Sequence, residues 1–425
     1  MRVLVTGAAG MLGVRLTDAL RRSGLGSEPV TEFVLADRVG PEGAADREVL
    51  VGDISDVEFA DLLASTEPDV VFHLAAVVSG QAEADVDLGY DVNVRGLWHL
   101  LEAARVHPDW RPRLVMASSV AVFGDADVAP LGPLHRCAPE SSYGTQKAIG
   151  ELLVRDYSRR GDIDGVAVRL ATIVVRSAPP NAAASTFLST IIRGPLAGQP
   201  GVIPVARTMR AWIASPATAV RQLLHAACLG AEDLADERVL TMPGLTVSVQ
   251  DLVDAVERHG GTEATRHVVD EPDPSIEAIV ARWPDELDVT AAVSLGFPTD
   301  RSVDDLVALH LDELERADDV TGMDFGRLAP TNPAPPTGAN VAMTNNDDAA
   351  ASVLAKVRTF IDTLEDDERQ VFAAMLAPAV AEAWASDDDV AGFEVWTPTR
   401  VHDHLNRAIR DQRFRIERAD PSDPI

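Results

Sequence analysis

Six short apolar runs alternate with helical patterns over the first 175 residues, and this alternation is the strongest constraint on the fold. Each run is bounded by turn residues, and apolar residues recur at helical spacing between the runs. Continuous apolar strands are typical of a parallel sheet that is covered on both faces. The pattern therefore predicts an α/β fold with a doubly wound parallel sheet. The runs are Val3–Val5, Phe33–Leu35, Val49–Val51, Val70–Leu74, Leu114–Met116 and Val166–Leu170.

A glycine-rich turn follows the first run directly. Gly7, Gly10 and Gly13 stand in GxxGxxG spacing, just before the first helical pattern. Glycines at such a turn let the backbone approach a pyrophosphate, and the helix N-terminus offers it free N–H groups. The turn predicts a Rossmann-type dinucleotide site that includes Met11 and Leu12. A purely structural strand-to-helix turn is the alternative interpretation.

Acidic residues follow the second and third strands. Asp37 ends the second strand, where a carboxylate accepts from the adenosine ribose hydroxyls and repels a 2′-phosphate. It therefore favours NAD, whereas the adjacent Arg38 could receive the phosphate of NADP. Asp53 follows the third strand and is placed to meet the adenine edge, with Ile54 beside it. A solvated loop acid is the alternative for Asp37.

Tyr143 and Lys147 form a YxxxK pair at the start of a predicted helix. Residues four apart share one face of a helix. A free tyrosine has a pKa near ~10, and a nearby ammonium or an oxidised nicotinamide stabilises the phenolate. Ser119 ends the fifth strand, so its hydroxyl is expected in the crevice where α/β folds bind ligands. A surface tyrosine near a lysine is the alternative, and the glycine turn argues against it.

These motifs, together with Asn93-Val-Arg-Gly96, resemble the extended short-chain dehydrogenase/reductase family. Within it, the segments 73–80, 119–124, 142–147, 180–185 and 210–216 resemble the D-erythronate dehydrogenases, over about residues 1–315. Those enzymes oxidise the 2-hydroxyl of D-erythronate with NAD and yield 2-dehydro-D-erythronate. The resemblance therefore implies an NAD-dependent dehydrogenase of a four-carbon sugar acid.

The resemblance also implies roles for single residues. Tyr143 is the general base, and Lys147 holds the nicotinamide ribose and tunes the tyrosine. Ser119 orients the reacting hydroxyl, and Asn93 supports a proton-relay water at the cofactor. Three residues after the fourth strand line the adenine–ribose side: Leu74, Ala75 and Ala76.

Ser79, Asn181 and Arg210 are candidates for the carboxylate and hydroxyls of the substrate, beside Ser119 and Tyr143. An arginine suits a carboxylate because its planar fork can bond both oxygens. A surface ion pair is the alternative role for Arg210.

The chain divides into four predicted parts. Residues 1–177 form the NAD-binding domain, and residues 178–317 form a smaller substrate lobe with segments that return to the sheet. Residues 318–349 are rich in proline and poor in apolar groups, which predicts a linker. In residues 350–425 apolar residues recur at helical spacing, which predicts a helical extension. It could pack on the enzyme, extend a homodimer or bind another protein, and an extension without a function is the alternative.

The composition excludes several classes of protein and of binding site. The net charge of -30 excludes a non-specific nucleic-acid binder, disfavours anionic membranes, and means that any anion site must be built locally. No apolar run approaches the ~18 residues of a membrane span, and the N-terminus lacks a signal-peptide pattern, so we expect a cytoplasmic protein. Two cysteines do not suggest disulfides. His402, Asp403 and His404 are too few for a metal site, so no metal is predicted.

Two rival functions remain. One is a nucleotide-sugar epimerase or dehydratase on the same scaffold, although the small residues Ala182 to Ser185 suit a small acid better. The other is a scaffold that senses NAD(H) without catalysis. Sensors of that kind usually lose the tyrosine or the lysine, and this chain has both.

Overall fold

The structure is a computed structural model that describes residues 1–40, 48–107, 109–124, 131, 137–176, 185–234, 237–280 and 283–321, with side chains to residue 314. The linker beyond residue 321, the helical extension and Asn181 lie outside these ranges. The predictions for them stay predictions, as do the domain boundaries and the homodimer.

The described strands follow the predicted runs closely, and six more lie after the sixth run. Each of the six predicted runs lies within one of the strands β1 to β6, apart from Leu74 at the end of the fourth run. The strands are β1 (Arg2–Thr6), β2 (Glu32–Asp37), β3 (Glu48–Val51), β4 (Val70–His73), β5 (Arg113–Ser119), β6 (Asp164–Leu170), β7 (Thr172–Ile173), β8 (Gly201–Ile203), β9 (Arg210–Ala214), β10 (Val239–Thr241), β11 (Leu245–Ser248) and β12 (Val268–Asp270).

Seven of these strands form one parallel sheet in the order β10-β6-β5-β4-β1-β2-β3. This confirms the predicted fold class. The strand order reverses between β1 and β4, and ligands of such sheets bind at this point, beyond the carboxyl ends of the strands. The glycine turn, the segment after β4 and Ser119 all lie at that edge.

Helices cover the sheet and build the lobe. They are α1 (Met11–Ser23), α2 (Val57–Ala64), α3 (Ser79–Ala84), α4 (Val86–Tyr90), α5 (Leu97–Val106), α6 (Ser142–Arg160), α7 (Thr186–Leu196), α8 (Pro216–Cys228), α9 (Ala231–Leu234), α10 (Val249–Thr265), α11 (Pro274–Val280), α12 (Thr290–Ser294) and α13 (Val303–Thr321). A π-helical turn, Asp91–Gly96, joins α4 to α5, and a 3-10 turn, Val120–Val122, follows β5. Of the described helices, none is long and apolar enough to cross a membrane.

Alternate residues of the central strands feed two different cores. Leu4 packs with residues of α2, α5 and α6 on one face of the sheet. Val3 and Val5 pack with residues of α1 and α8 on the other face. All three side chains are fully buried, as the two-residue period of a strand between two helical layers requires.

The lobe has its own core, formed by α7, α10 and α13 against short strands. A three-stranded sheet, β11-β9-β7, and a two-stranded sheet, β12-β8, frame it. Ile191, Ile213, Leu252, Val256 and Leu306 belong to its buried cluster. One strand from this part of the chain, β10, pairs with β6 at the edge of the main sheet.

Candidate active site

A cleft of about 790 Å³ lies at the carboxyl edge of the main sheet. It runs from the glycine turn, past the ends of β4 and β5 and the start of α6, to residues of the lobe. Many of the predicted site residues line it: Gly7, Gly10, Met11, Leu12, Gly13, Leu74, Ala76, Ser79, Ser119, Tyr143 and Lys147.

The glycine turn leaves no room for side chains at two of its positions. Gly7 has φ +71°, and a Cβ there would lie 2.7 Å from the main-chain nitrogen of Ala75. A Cβ on Gly13 would lie 2.2 Å from the main-chain oxygen of Gly7. Gly10 is the N-cap of α1 and carries no side chain that could cap the first N–H groups. These groups therefore stay available to a phosphate, so the turn fits a dinucleotide.

Asp37 lies against the same turn. Its Oδ2 accepts a hydrogen bond of 2.8 Å from the main-chain nitrogen of Ala9, which holds the carboxylate beside the turn. The side chain of Arg38 is 65% exposed and lies 3.9 Å from Asp53, so its charge is directed towards that acid. Asp53 also accepts from the nitrogen and hydroxyl of Ser55.

Two residues that the sequence predicts at the cofactor, Ile54 and Ala75, make packing and main-chain contacts in the structure. Ile54 is buried, and a Cβ on Gly96 would lie 2.8 Å from its Cγ2. The main-chain nitrogen of Ala75 donates to Thr6 Oγ1 at 3.3 Å. Thr6 Oγ1 lies 3.1 Å from Nδ1 of His73, and burial lowers the pKa of His73 to about 3. A neutral histidine therefore helps to hold together the ends of β1 and β4.

Tyr143, Lys147 and Ser119 meet in the cleft. Ser141 caps α6 by accepting from the main-chain nitrogen of Gly144, so Tyr143 stands in the first turn of the helix. The Ser119 side chain is close enough to the Tyr143 hydroxyl to act on the pKa of the tyrosine, which it lowers. Lys147 Nζ lies 5.7 Å from the centre of the Tyr143 ring. The hydroxyl groups of Tyr143 and Ser119 and the ammonium group of Lys147 therefore lie close together in the cleft.

The titration properties of this group follow from its burial. Burial raises the pKa of Tyr143 to about 12, and the nearby Ser119 side chain opposes that rise. Burial lowers the pKa of Lys147 to about 8, and the charge of Glu151 opposes that change. At neutral pH the lysine is therefore charged, and the tyrosine needs positive charge beside it before it can act as a base.

A buried network stands behind Lys147, and the sequence reasoning missed it. Glu151 accepts from Arg169 Nε at 2.9 Å and from Nη2 at 2.7 Å. Ser118 donates to Glu151 at 2.6 Å. Glu151 and Arg169 are 3% and 6% exposed. The signal was present, because Glu151 follows Lys147 by four residues and shares its helix face.

Asn93 lies behind the cleft on the π-helical turn and is buried. Its Oδ1 accepts from the main-chain nitrogen of Val77, and its Nδ2 donates to the oxygen of Val77 and to Gln146 Oε1. These bonds tie the segment after β4 to α6. The relay role implied by the resemblance stays a prediction.

The structure separates the predicted substrate residues. Ser79 begins α3 and lines the cleft. Arg210 is 51% exposed, lies 3.4 Å from Asp285, and lines a separate hollow of about 390 Å³. Among the described residues, two arginines that sequence reasoning missed line the main cleft instead: Arg176 and Arg193.

The comparisons with known proteins agree with this geometry. The family described as the NAD dependent epimerase/dehydratase family matches residues 3–228, more than half of the 425-residue chain. A D-erythronate dehydrogenase of Cupriavidus necator is 42% identical over 320 residues, which are 74% of this chain and 98% of that protein. A D-erythronate dehydrogenase of Haemophilus influenzae is 36% identical over 310 residues, 72% of this chain and 98% of that protein.

One solved structure is of comparable similarity. It is described as a nucleoside-diphosphate-sugar epimerase from Agrobacterium tumefaciens. It is 41% identical, superposes with a TM-score of 0.71, and the match covers 74% of this chain and 94% of that one. The matches to all three proteins leave about a quarter of this chain unmatched.

Proposed function

The chain belongs to the NAD dependent epimerase/dehydratase family and is an NAD-dependent oxidoreductase, and from this premise we propose its reaction. It oxidises the C2 hydroxyl of a four-carbon sugar acid, D-erythronate, to 2-dehydro-D-erythronate. The family confirms the predicted resemblance. The substrate and the general base are the new parts of the proposal.

The observation that supports this reaction is the convergence of Tyr143, Ser119 and Lys147 in the cleft that also contains the glycine turn. The glycine turn and the uncapped N–H groups at the start of α1 would hold NAD, which would supply the acceptor for the hydride of C2. Tyr143, as the phenolate, takes the proton of the C2 hydroxyl, and Ser119 holds that hydroxyl by a hydrogen bond. The ammonium of Lys147 stabilises the phenolate and its Nζ is held by the main-chain oxygen of Ala117 at 2.9 Å.

The choice of acid rests on the relatives. Two of them are named for D-erythronate, at 42% and 36% identity, and this chain covers 98% of each. A four-carbon acid is small, and the lobe side of the cleft includes the side chains of Trp212 and Trp283.

A direct test is a substrate panel with the full chain. NAD is mixed with D-erythronate, with the other four-carbon aldonates and with UDP-sugars, and NADH is followed by absorbance. We expect NADH with D-erythronate and a lower rate with its stereoisomers. The proposal is wrong if no four-carbon aldonate yields NADH.

A nucleotide-sugar epimerase is the second candidate, because the similar solved structure carries that description. Such an enzyme would convert a UDP-sugar without net accumulation of NADH, which chromatography of the sugar nucleotides detects. A non-catalytic sensor would bind NADH with neither activity.

A further inference from the structure

Glu151 joins α6 to the end of β5, directly behind the cleft. This buried glutamate lies one helical turn after Lys147, on the same face of α6. Its Oε1 accepts a hydrogen bond of 2.6 Å from the hydroxyl of Ser118, which belongs to β5. A buried bond to a charged oxygen is stronger than a neutral one, so it fixes the two elements firmly against each other.

Arg169 holds the Glu151 carboxylate from the neighbouring strand. It donates to Oε1 from Nε at 2.9 Å and to Oε2 from Nη2 at 2.7 Å, so both carboxylate oxygens are fixed. Arg169 of β6 and Ser118 of β5 are register partners, and partners on adjacent strands point to the same face of a sheet. Both donors therefore reach the carboxylate from the sheet, and two strands together determine its position.

Ser118 separates the two residues of β5 that the proposed reaction uses. The main-chain oxygen of Ala117 accepts from Lys147 Nζ at 2.9 Å, and the Ser119 side chain lies beside the Tyr143 hydroxyl. Peptide units are planar and successive Cα atoms are only ~3.8 Å apart, so a shift of Ser118 moves both neighbours. The bond from Ser118 to α6 therefore sets the strand end against the helix that carries the base and the lysine.

The Glu151 carboxylate also acts on Lys147 through its charge. Burial lowers the pKa of Lys147, whereas the charge of Glu151 raises it and favours the ammonium form. The ammonium is the form that stabilises a phenolate. Position and charge of the glutamate therefore favour the same arrangement of the proposed catalytic group.

The buried pair acts through other residues. Among the described residues, Ser118 and Lys147 line the cleft, whereas Glu151 and Arg169 do not. A buried ion pair seldom stabilises a protein more than well-packed apolar side chains of similar volume would. Its particular property is geometry, because paired N–H donors hold a carboxylate in one orientation.

We propose that Glu151 is a positioning residue that, through Ser118, aligns the end of β5 with the tyrosine and lysine of α6. The inference rests on the proposed function and explains how its base is held in place. Arg169 belongs to the same arrangement, because it fixes the carboxylate that makes the bond. Neither member of the pair takes part in a chemical step.

The first test is Ser118→Ala in the full chain, because this variant removes the bond to α6 and leaves the ion pair intact. A misplacement of about 1 Å can cost ~10²-fold in rate, so kcat with D-erythronate and NAD should fall by roughly 10- to 100-fold. KM for the acid and NADH affinity, measured by fluorescence titration, should stay within about twofold of the wild type, because no binding contact is removed. An unchanged kcat, or equal losses in kcat and NADH affinity, would overturn the inference.

Glu151→Gln completes a double-variant cycle. Glutamine has nearly the same shape as glutamate but no charge, so kcat should fall at least as far as in Ser118→Ala. The double variant should be no slower than Glu151→Gln alone, because both changes weaken the same bond. Losses in kcat that multiply in the double variant would show two independent effects and would overturn the inference.

A further variant separates position from stability, including where Glu151→Gln fails to fold. Glu151→Leu with Arg169→Met replaces both buried charges by apolar side chains, which is often neutral for stability. Urea unfolding should give a free energy near that of the wild type, whereas kcat should stay as low as in Ser118→Ala. Recovery of kcat together with stability would show that the pair is only structural.

Ser158→Ala is the matched control on the same helix. The Ser158 hydroxyl also joins α6 to β6, since it accepts from the main-chain nitrogen of Gly165 at 3.1 Å, but it lies at the other end of the helix. We expect a kcat equal to that of the wild type. A loss of kcat as large as in Ser118→Ala would show that any loosening of α6 lowers turnover, and would overturn the positioning role.

Failure of the inference is distinct from failure of the proposed function. If the wild type oxidises D-erythronate and Ser118→Ala keeps its kcat, only the positioning role is wrong. If the wild type oxidises no four-carbon acid, both are overturned.

Discussion

Lys147 Nζ lies 5.7 Å from the centre of the Tyr143 ring, on the same face of α6. The lysine donates to the main-chain oxygen of Ala117 at 2.9 Å, so its position is set by β5 rather than by the tyrosine alone. A cation at this distance favours the phenolate over the phenol. The pair therefore links the geometry of the sheet edge to the acidity of the proposed base.

Removing the phenolic oxygen should abolish turnover. In Tyr143→Phe the proton of the substrate hydroxyl has no acceptor, so kcat should fall by roughly 10²–10⁴-fold. NADH affinity, measured by fluorescence, should change little. The control is Tyr157→Phe, which removes a hydroxyl from the same helix where it donates to Glu102, and which should keep its activity. Turnover of Tyr143→Phe within tenfold of the wild type would rule out this base.

Removing the lysine charge should move the pH profile. The base acts when deprotonated, so kcat/KM rises with pH up to the pKa of Tyr143. Lys147→Met takes away a cation near the phenolate, and the rising limb should move to higher pH by about one to two units. Lys147→Arg keeps a cation and should give a smaller shift. An unchanged profile in Lys147→Met would show that the lysine does not tune the tyrosine.

The nucleotide preference should depend on Asp37. Its carboxylate is held beside the glycine turn by the main-chain nitrogen of Ala9, where it would repel a 2′-phosphate. Asp37→Ser should narrow the ratio of kcat/KM for NAD over NADP by roughly tenfold or more, given the strength of hydrogen bonds to a charged group. Glu48→Gln removes a matched exposed charge from β3 and is the control. A ratio that stays constant in Asp37→Ser contradicts this role.

The ion pair behind the lysine should contribute strongly to stability. Glu151→Leu leaves the buried Arg169 without its counter-charge, which should lower the free energy of unfolding by about 3–5 kcal/mol. The double variant Glu151→Leu with Arg169→Met should recover most of that loss. Glu263→Leu breaks the exposed pair with Arg266 and should have no measurable effect. Urea unfolding gives the values, and a double variant as unstable as the single one would refute the argument.

Buried His73 should make the fold sensitive to acid. Its pKa is about 3 in the folded chain and ~6.5 when unfolded. Between these values the unfolded state binds one more proton, so stability falls as pH falls below ~6.5, by about 3 kcal/mol at pH 4. His73→Gln removes this term, so its unfolding free energy should decrease less between pH 7 and pH 4. The exposed His107→Gln is the control, and equal pH slopes in all three proteins would exclude His73 as the cause.

Local patterns were sufficient for much of the fold. The six apolar runs became β1 to β6. Most of them are buried on both faces, and such a strand is recognisable within about five residues, whereas β3 is a partly exposed edge strand. The remaining strand of the main sheet, β10, is only three residues long, which is too short for an apolar run to identify it. Only its pairing with β6 makes Val239–Thr241 a strand of the main sheet.

Spacing along one element also located much of the cleft. Gly7 and Gly13 belong to one turn, and Tyr143 and Lys147 belong to one helix. Their spacing along the chain therefore predicts that the members of each pair lie close together. Contacts between distant segments had no such signal. Arg210 pairs with Asp285, 75 positions away, and lines a separate hollow, and no pattern within one element predicts that contact.

The sequence by itself determined the parallel sheet, the glycine turn and the tyrosine–lysine pair, because each depends on periodicity or spacing within one element. The tertiary structure alone decided which arginines line the cleft. Arg176 and Arg193 meet because the chain after β7 folds back onto α7, and no local pattern encodes that contact. Side-chain direction across a cleft is set by long-range packing, which is why the two arginines could be identified only in the folded chain.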